Sequence, residues 1–312
     1  MTHTDYRSVI DVPTWAFIAR SAESYPDDTA TAPIFEQRRI YDAMCRQFDQ
    51  GRPKGVTTQD HPVDGVPCRH YAAAPPTTVY SMPTVVYLHG GGFVVGGLDS
   101  HDDVCAELCA ASGLRVISVD YRLSPEHPHP AALDDTLAVT RVLLADGPVL
   151  LAGDSAGGTL AAAASHTLRF HPNLSGQVLI YPGLGGDPNT GSYLIHAEAP
   201  MLTRDDVLFY ARVRRADPND PTAAPLLAAD LTGLPPTIAF SAECDPLADD
   251  ALHYCKRLTA AGAPARRILE PGLVHGYLRA RHTVPRAAAS FARIITALTA
   301  LAHGQWPPGD TP

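Results

Sequence analysis

The sequence predicts an α/β protein built on a mostly parallel, doubly wound sheet of about eight strands flanked by helices. Six short apolar runs, each bounded by Gly, Pro or Asp, alternate along the chain with helix-like stretches. The runs are nearly continuous in Val, Ile and Leu, which is typical of strands covered on both faces. Because strand and helix alternate, right-handed crossovers and parallel neighbours are favoured.

The elements follow one another in a regular order. Residues 1–50 are expected to be helical, since apolar side chains recur among polar ones, and GRPKG at 51–55 ends this pattern. Two runs around Asp64-Gly65 then predict a hairpin. The strand runs are 84–90, 115–121, 148–154, 176–182, 237–245 and 265–270. The helix-like stretches are 100–112, 130–145, 157–169, 247–262 and 284–302.

One long segment interrupts this order. Residues 183–226 begin with a Gly/Pro/Asn-rich run and contain a helical piece near 203–215. The segment is longer than a simple crossover, so we interpret it as an insertion over the sheet. The last strand, 265–270, is expected at an edge of the sheet, where unpaired backbone groups would permit a homodimer.

Composition excludes several classes of function. The chain has 312 residues, of which 45% are hydrophobic and 18% charged, with a net charge of −9 and no basic run, so nucleic-acid binding is not expected. No window is long and apolar enough to predict a membrane-spanning helix, and the first residues lack the pattern of a secretory signal. A cytoplasmic protein with free thiols is therefore expected, and Cys105 and Cys109 are expected to be core residues rather than metal ligands.

The first chemical motif is the G-x-S-x-G of residues 153–157, GDSAG. An apolar strand precedes it, and Gly158 with an alanine-rich helix follows. A sharp strand–turn–helix needs small residues on both sides of the serine, because the chains pass close together. The Ser155 hydroxyl would then lie at the carboxyl edge of the sheet, where such sheets bind ligands.

The second motif is HGGGF at 89–93, directly after a predicted strand. Consecutive glycines let backbone amides approach a substrate oxygen, and with the amide of Ala156 they would form an oxyanion hole. A phosphate-binding loop is the alternative, but the P-loop lysine and the G-x-G-x-x-G pattern are both missing.

A serine nucleophile needs a base, and the base needs an orienting acid. His275 follows the last predicted strand, and Asp245 ends the strand before it, in the order Ser–Asp–His that α/β hydrolases use. Asp245 could instead cap the helix that follows it. Glu243, Asp249 and Asp250 compete for the same role. Four other histidines are expected to be structural: His89, which would shape the glycine loop, and His127, His129 and His171 in turns.

Five motifs follow one another along the chain: HGGGF, DYRLSPEHPHPAALDD, GDSAGG, DPLADD and HGY. In this order they resemble the hormone-sensitive-lipase-like esterases, and GDSAG points to the GDSAG subgroup of that family. The resemblance covers about residues 80–280 and implies an α/β-hydrolase fold that cleaves carboxylic esters without a metal or organic cofactor. Carried over, Ser155 is the nucleophile, His275 the base and Asp245 its partner. The amides of Gly91, Gly92 and Ala156 would form the oxyanion hole. A cap would come from residues 1–50 and about 185–225, with HAEAPMLT at 196–203 as a cap helix start.

The resemblance leaves the substrate open. Tyr277 replaces a common phenylalanine, and GLGGDPNTG at 183–191 is unusually rich in glycine; both bear on the pocket and not on the chemistry. A capped pocket predicts short to medium acyl chains. An amidase, formamidase, lactonase or carbamate hydrolase would use the same residues, and a non-catalytic ligand-binding relative is the alternative of another class.

Overall fold

A single mixed sheet forms the centre of the fold. The computed structural model describes residues 4–26, 28–73 and 82–309, and within them eight strands pair in the order β1-β2-β4-β3-β5-β6-β7-β8. The predicted α/β class is confirmed. The strands are β1 (Val56–Asp60), β2 (Cys68–Ala73), β3 (Thr84–Leu88), β4 (Val116–Val119), β5 (Val149–Asp154), β6 (Leu174–Ile180), β7 (Thr237–Cys244) and β8 (Ala265–Val274).

Strands β3 to β8 are parallel, whereas β1 and β2 form the predicted antiparallel hairpin and β2 also runs antiparallel to β4. At the hairpin turn, Asp64 and Gly65 both have positive φ, 49° and 78°, between bridged Val63 and Val66. Two consecutive left-handed residues are what a type I′ turn requires, so the Asp-Gly pair sets the turn.

Helices cover both faces of the sheet. Leu133, Leu160 and Tyr254, from three different helices, pack on one face, and Leu108 and Leu298 pack on the other. Successive strand residues supply both layers, as with Val86 and Val85 of β3. These helices are α4 (Asp102–Ser112), α5 (Ala131–Asp146), α6 (Ala156–Thr167), α9 (Ala248–Ala260) and α10 (Pro285–Ala302). All six cysteines are buried free thiols.

The remaining helices lie in the N-terminal segment and in the insertion: α1 (Tyr6–Val9), α2 (Val12–Ala22), α3 (Ile34–Phe48), α7 (Gly191–Ile195) and α8 (Arg204–Arg214). The run 196–203 is the loop that leads into α8, and its last residue is the cap. The Thr203 hydroxyl accepts from the Asp206 amide at 3.1 Å, and the Asp206 carboxylate accepts from the Thr203 amide at 2.8 Å. This reciprocal capping box starts α8 one residue after that run.

The prediction for β8 was right in its place at the sheet edge and wrong in its length. The sequence predicts a strand that ends at Glu270, but β8 continues through Pro271 and Gly272 to Val274 after an irregularity in its pairing with β7. An edge strand tolerates proline, and Gly272, with φ of 67°, lies in a bulge where residues 271–273 of β8 lie opposite one residue of β7. The Gly272 amide donates to Glu243 at 2.7 Å, so the bulge is anchored just before His275.

Gly157 is expected to stabilise the fold, because α6 and β3 meet at this residue. A Cβ on Gly157 would lie 2.8 Å from the His89 carbonyl oxygen and closer still to that of Leu88, both backbone atoms that cannot turn aside. Gly157→Ala should lower the free energy of unfolding by about 1–3 kcal/mol, measured by urea denaturation. Gly183→Ala is the control, since its Cβ meets nothing nearer than 3.4 Å. Equal stability of the two variants would contradict this packing.

Candidate active site

Ser155 lies in a strained turn between β5 and α6. Its φ of 53° and ψ of −119° are rare for a residue with a side chain. The flanking glycines permit this geometry, because a Cβ on Gly153 would lie 2.6 Å from the Leu88 carbonyl oxygen. The Ser155 amide donates to the Ile180 carbonyl at 2.8 Å, which fixes the turn to the neighbouring strand. The serine hydroxyl is thus held at the carboxyl end of the sheet, as predicted.

The structure brings three predicted residues into one hydrogen-bonded row. His275 Nε2 lies 2.8 Å from Ser155 Oγ, and His275 Nδ1 lies 2.7 Å from Asp245 Oδ2. Asp245 is fully buried, and His275 is nearly so. The geometry suits proton transfer from the hydroxyl to the imidazole, with the carboxylate holding the ring in orientation.

The second oxygen of Asp245 is bonded in the turn before α9. Asp245 Oδ1 accepts from the Leu247 amide at 2.9 Å, while Oδ2 accepts from His275. The N-cap of α9 is Leu247, and no side chain caps this helix, so the alternative that Asp245 is its cap is wrong. The backbone contact instead holds the carboxylate in the orientation that His275 needs.

The three competing carboxylates are engaged elsewhere. Glu243 accepts from Gly272 at 2.7 Å, Asp249 from Ser192 at 2.8 Å and Asp250 from Leu184 at 2.6 Å. Each bond is to a backbone amide, that of Gly272 in β8, of Ser192 in α7 and of Leu184 after β6. Among the described carboxylates, Asp245 is therefore the one that bonds His275.

The glycine loop turns its amides toward the same place. Gly91 and Gly92 have φ of 124° and 60°, which only glycine adopts freely at both positions. The amides of Val94 and Val95 both donate to the Gly91 carbonyl at 3.0 Å, so the loop is closed behind the glycines. The amides of Gly91 and Gly92 have no acceptor within residues 4–26, 28–73 and 82–309. Ala156 opens α6, so its amide has no intrahelical partner either.

A buried carboxylate beneath the serine was not foreseen from the sequence. Asp154 Oδ1 accepts from the Tyr87 hydroxyl at 2.8 Å and from the Gly90 amide at 3.0 Å, and His101 lies 3.3 Å away. Arg279 donates to His101 at 2.9 Å. Burial alone would raise the pKa of Asp154, but contacts with His101, the positive charge of Arg279 and the hydrogen bond from Tyr87 hold it well below its usual range. A charged Asp154 therefore links the serine turn to the glycine loop.

His89 lies under the glycine loop. Among the described residues, its ring bonds the loop and Tyr121, not Ser155, His275 or Asp245. Its Nδ1 is 2.8 Å from the Gly90 carbonyl oxygen, and its ring stacks on Tyr121 with centroids 4.2 Å apart. Burial, with the nearby His101, lowers the pKa of His89 to about 3, so the ring is neutral. The prediction that His89 shapes the loop agrees with these contacts.

A cavity of about 630 Å³ opens above Ser155, His275 and the glycine loop. The N-terminal helical segment contributes Tyr25, Tyr41 and Met44 to its wall, and the insertion contributes Leu202, Val207 and Tyr210, among others. Aromatic side chains reach the wall from both segments, as Tyr25 and Tyr210 do, but not all aromatic residues of the N-terminal segment line it. Phe17 instead packs on Phe48, with ring centroids 5.1 Å apart, and Phe35 is largely exposed.

Comparison with known proteins gives the family. The family described as alpha/beta hydrolase fold matches residues 85–279. This chain is an α/β hydrolase. The hydrolase is 40% identical over 254 residues to carboxylesterase NlhH of Mycobacterium tuberculosis, which covers 76% of this chain and 79% of the relative. It is 32% identical over 258 residues to ethyl acetate hydrolase of Pseudomonas putida, covering 78% and 80%. A crystal structure of a bacterial hormone-sensitive lipase family esterase matches with a TM-score of 0.84 and 30% identity, over 93% and 98% of the two chains.

Within the described residues, the α/β hydrolase has no helix that is long and apolar enough to cross a membrane.

The Asp250 carboxylate should make stability depend on pH in an unusual direction. Burial raises the pKa of Asp250 to about 6, and its Oδ1 has no partner among the described residues. Between about pH 4 and pH 6 the folded state then binds more protons than the unfolded state, so this residue's contribution to stability should increase as the pH falls. An amide in place of the carboxylate carries no charge at any of these pH values.

The measurement compares the free energies of unfolding of wild type and Asp250→Asn from about pH 7 to about pH 4.5. Wild type should gain stability relative to the variant on acidification, because the variant lacks the titrating group. Curves that stay parallel across this range would show that Asp250 titrates normally.

Proposed function

We propose that this α/β hydrolase is a serine carboxylesterase, which hydrolyses short- to medium-chain carboxylic esters through an acyl-enzyme. The observation that carries the proposal is the row Ser155–His275–Asp245, at 2.8 and 2.7 Å, beside three backbone amides that have no acceptor in the described part of the chain. The named relatives include carboxylesterases and an acetyl esterase of Salmonella, at 34% identity, which supports the same reaction.

In the first half of the reaction, Ser155 Oγ attacks the ester carbonyl carbon while His275 Nε2 takes the hydroxyl proton. The carbonyl oxygen becomes an oxyanion, which the amides of Gly91, Gly92 and Ala156 stabilise. Asp245 remains ionised and stabilises the imidazolium. The proton then passes from His275 to the alkoxide oxygen, and the alcohol leaves.

In the second half, a water molecule attacks the acyl-serine carbonyl, and His275 takes its proton. The tetrahedral intermediate again places its oxyanion among the three amides. When it collapses, His275 returns the proton to Ser155 Oγ and the carboxylic acid leaves. The enzyme returns to its starting state with one ester bond and one water molecule consumed.

Ser155→Ala is expected to lower turnover of p-nitrophenyl butyrate by roughly 10⁴-fold or more, because the acyl-enzyme cannot form. An organophosphate should add its mass to Ser155 in wild type and not in the variant, read by peptide mass spectrometry. Ser112→Ala, at the far end of α4, is the matched control and should keep its activity. Labelling of another residue, or wild-type turnover by Ser155→Ala, would refute the assignment.

The size of the ester that fits is the finer part of the proposal. The cavity is largely apolar and closed on one side by helices, which favours short to medium acyl chains over long ones. Three glycines, Gly183, Gly185 and Gly186, line part of it. At Gly185 and Gly186 a Cβ would collide with Ala224 and Asp250, whereas at Gly183 it would only reach Leu247, at 3.4 Å. Gly183 is thus the position where a side chain is absent without a steric reason.

Gly183→Phe is expected to reduce the free volume of the cavity, because Gly183 lines the cavity and its Cβ would meet nothing nearer than Leu247, at 3.4 Å. In wild type, kcat/KM for p-nitrophenyl esters from acetate to palmitate should peak among short to medium chains. In the variant, kcat/KM for long esters relative to kcat/KM for short esters should fall by about tenfold or more. The fall is expected either in this acyl series or in a matching series of alkyl acetates. Gly183→Ala is the control. An unchanged profile in both series, or a wild-type optimum at palmitate, would contradict this part.

The organisation around this site forms part of the same proposal. We assign the chain to the GDSAG subgroup of hormone-sensitive-lipase-like esterases, with residues 51–312 as the catalytic domain. Residues 1–50 and about 185–225 form the cap, which the cavity lining from both segments supports. The free edge of β8 would serve a homodimer, which light scattering would detect. A cytoplasmic location agrees with the six free thiols, and cell fractionation would test it.

A further inference from the structure

The glycine loop contains three consecutive residues in left-handed backbone conformations. Gly91, Gly92 and Phe93 have φ of 124°, 60° and 66°. Glycine adopts such angles freely, but phenylalanine does so only when surrounding contacts compensate the strain. The loop amides must keep this geometry for an oxyanion to reach them. Contacts to Phe93 therefore decide whether the loop keeps its shape.

Helix α8 contacts two of these residues from above. The ring of Tyr210 lies against Gly92, where a Cβ would come within 2.7 Å of ring atom Cε1 and nearer still to its neighbours. One turn later, the guanidinium carbon of Arg214 lies 3.8 Å from the centroid of the Phe93 ring. Residues four apart share one face of a helix, so a single face of α8 presses on consecutive loop residues.

Arg214 is fixed from its other side as well. It is 7% exposed, donates to the Ala223 carbonyl at 2.9 Å and lies 3.2 Å from His129 Nδ1. Among the described residues no carboxylate forms an ion pair with it. Burial lowers the pKa of Arg214 to about 10, so the group stays charged at neutral pH. A buried cation without a carboxylate is costly, and the face of the Phe93 ring supplies the compensating attraction.

The N-terminal segment holds the next residues of the same loop. Arg38 of α3 donates from Nε to the Val94 carbonyl at 2.8 Å and from Nη2 to the Ser124 carbonyl at 3.0 Å. The Ser124 amide in turn donates to the Phe93 carbonyl at 2.8 Å. Glu126 accepts from both terminal nitrogens of Arg38 and keeps its side chain in place. Residues 92, 93 and 94 are thus each held by a helix outside the sheet.

We propose that Arg214 is a positioning residue, which holds the Phe93 turn so that the loop amides stay directed at the oxyanion. The inference rests on the proposed esterase function. In this arrangement α8 and α3 do more than wall the cavity, since they also complete the oxyanion hole. Loss of the Arg214 contact should weaken transition-state binding and leave binding of the ground-state ester nearly unchanged.

The experiment compares Arg214→Met, which removes the planar cation and keeps apolar bulk, with Arg214→Lys, which keeps the charge. Arg212→Ala, exposed on the same helix, is the control and should behave as wild type. For p-nitrophenyl butyrate, Arg214→Met should lower kcat by about tenfold or more with KM within about twofold. Its affinity for a trifluoromethyl ketone, whose hydrated adduct with serine carries the oxyanion, should fall by the same factor. Arg214→Lys should lose less.

Two outcomes would overturn the proposal. The first is a kcat of Arg214→Met within about twofold of wild type. The second is a loss confined to KM with the trifluoromethyl ketone affinity kept, which would make Arg214 a substrate-binding residue of the cavity. Thermal unfolding shows whether each variant folds. If Arg214→Met does not fold, Phe93→Leu removes the other partner and must give the same loss of kcat. Failure of the proposed function itself is distinct, because wild type and Arg212→Ala would then also lack turnover and organophosphate labelling.

Discussion

The close approach of helix α6 to strand β3 is the contact on which the site depends. It exists because Gly153 and Gly157 have no side chains where the backbone carbonyl of Leu88 passes between them. This contact sets the sharp turn that exposes Ser155. It also brings the chain leaving β3, which becomes the glycine loop, directly beside the start of α6. One contact between α6 and β3 therefore positions both the nucleophile and the oxyanion donors.

Electrostatics reinforces that packing from below. Asp154, His101 and Arg279 are all buried, and the His101 ring lies between the carboxylate, 3.3 Å away, and the guanidinium, 2.9 Å away. Buried charges stabilise a fold only when their partners and geometry are satisfied. Here the network connects three segments of the site. Asp154 precedes the serine turn and bonds the Gly90 amide of the glycine loop, and Arg279 belongs to the segment after His275. Arg279 lies four residues after His275 and also donates to the Ser100 carbonyl.

Much of this could be predicted, because strands buried on both faces leave an unmistakable apolar pattern. That Ser155, Asp245 and His275 lie at the same edge of the sheet follows from the same pattern. Each residue comes directly after a strand, and parallel strands end at one edge. The length of β8 could not be predicted, because Pro271 and Gly272 are typical turn residues and only the edge position lets the strand continue past them. The partners of Asp154 and Phe93 could not be predicted either. His101 and Arg214 are distant in sequence, and a single buried His or Arg carries no periodic signal.

The wall of the cavity has a different origin from its floor. The floor comes from loops that follow parallel strands, whereas Tyr25, Tyr41 and Met44 come from the N-terminal segment before residue 85, outside the stretch that matches the family. Replacement of such a wall residue leaves the strand ends in place. Substitutions in this outer segment can thus change which esters fit the cavity during evolution, while the reaction itself stays the same. Residues of α8 and α3 that face the ester can change in this way. Those that contact the glycine loop cannot, because they hold the loop in place.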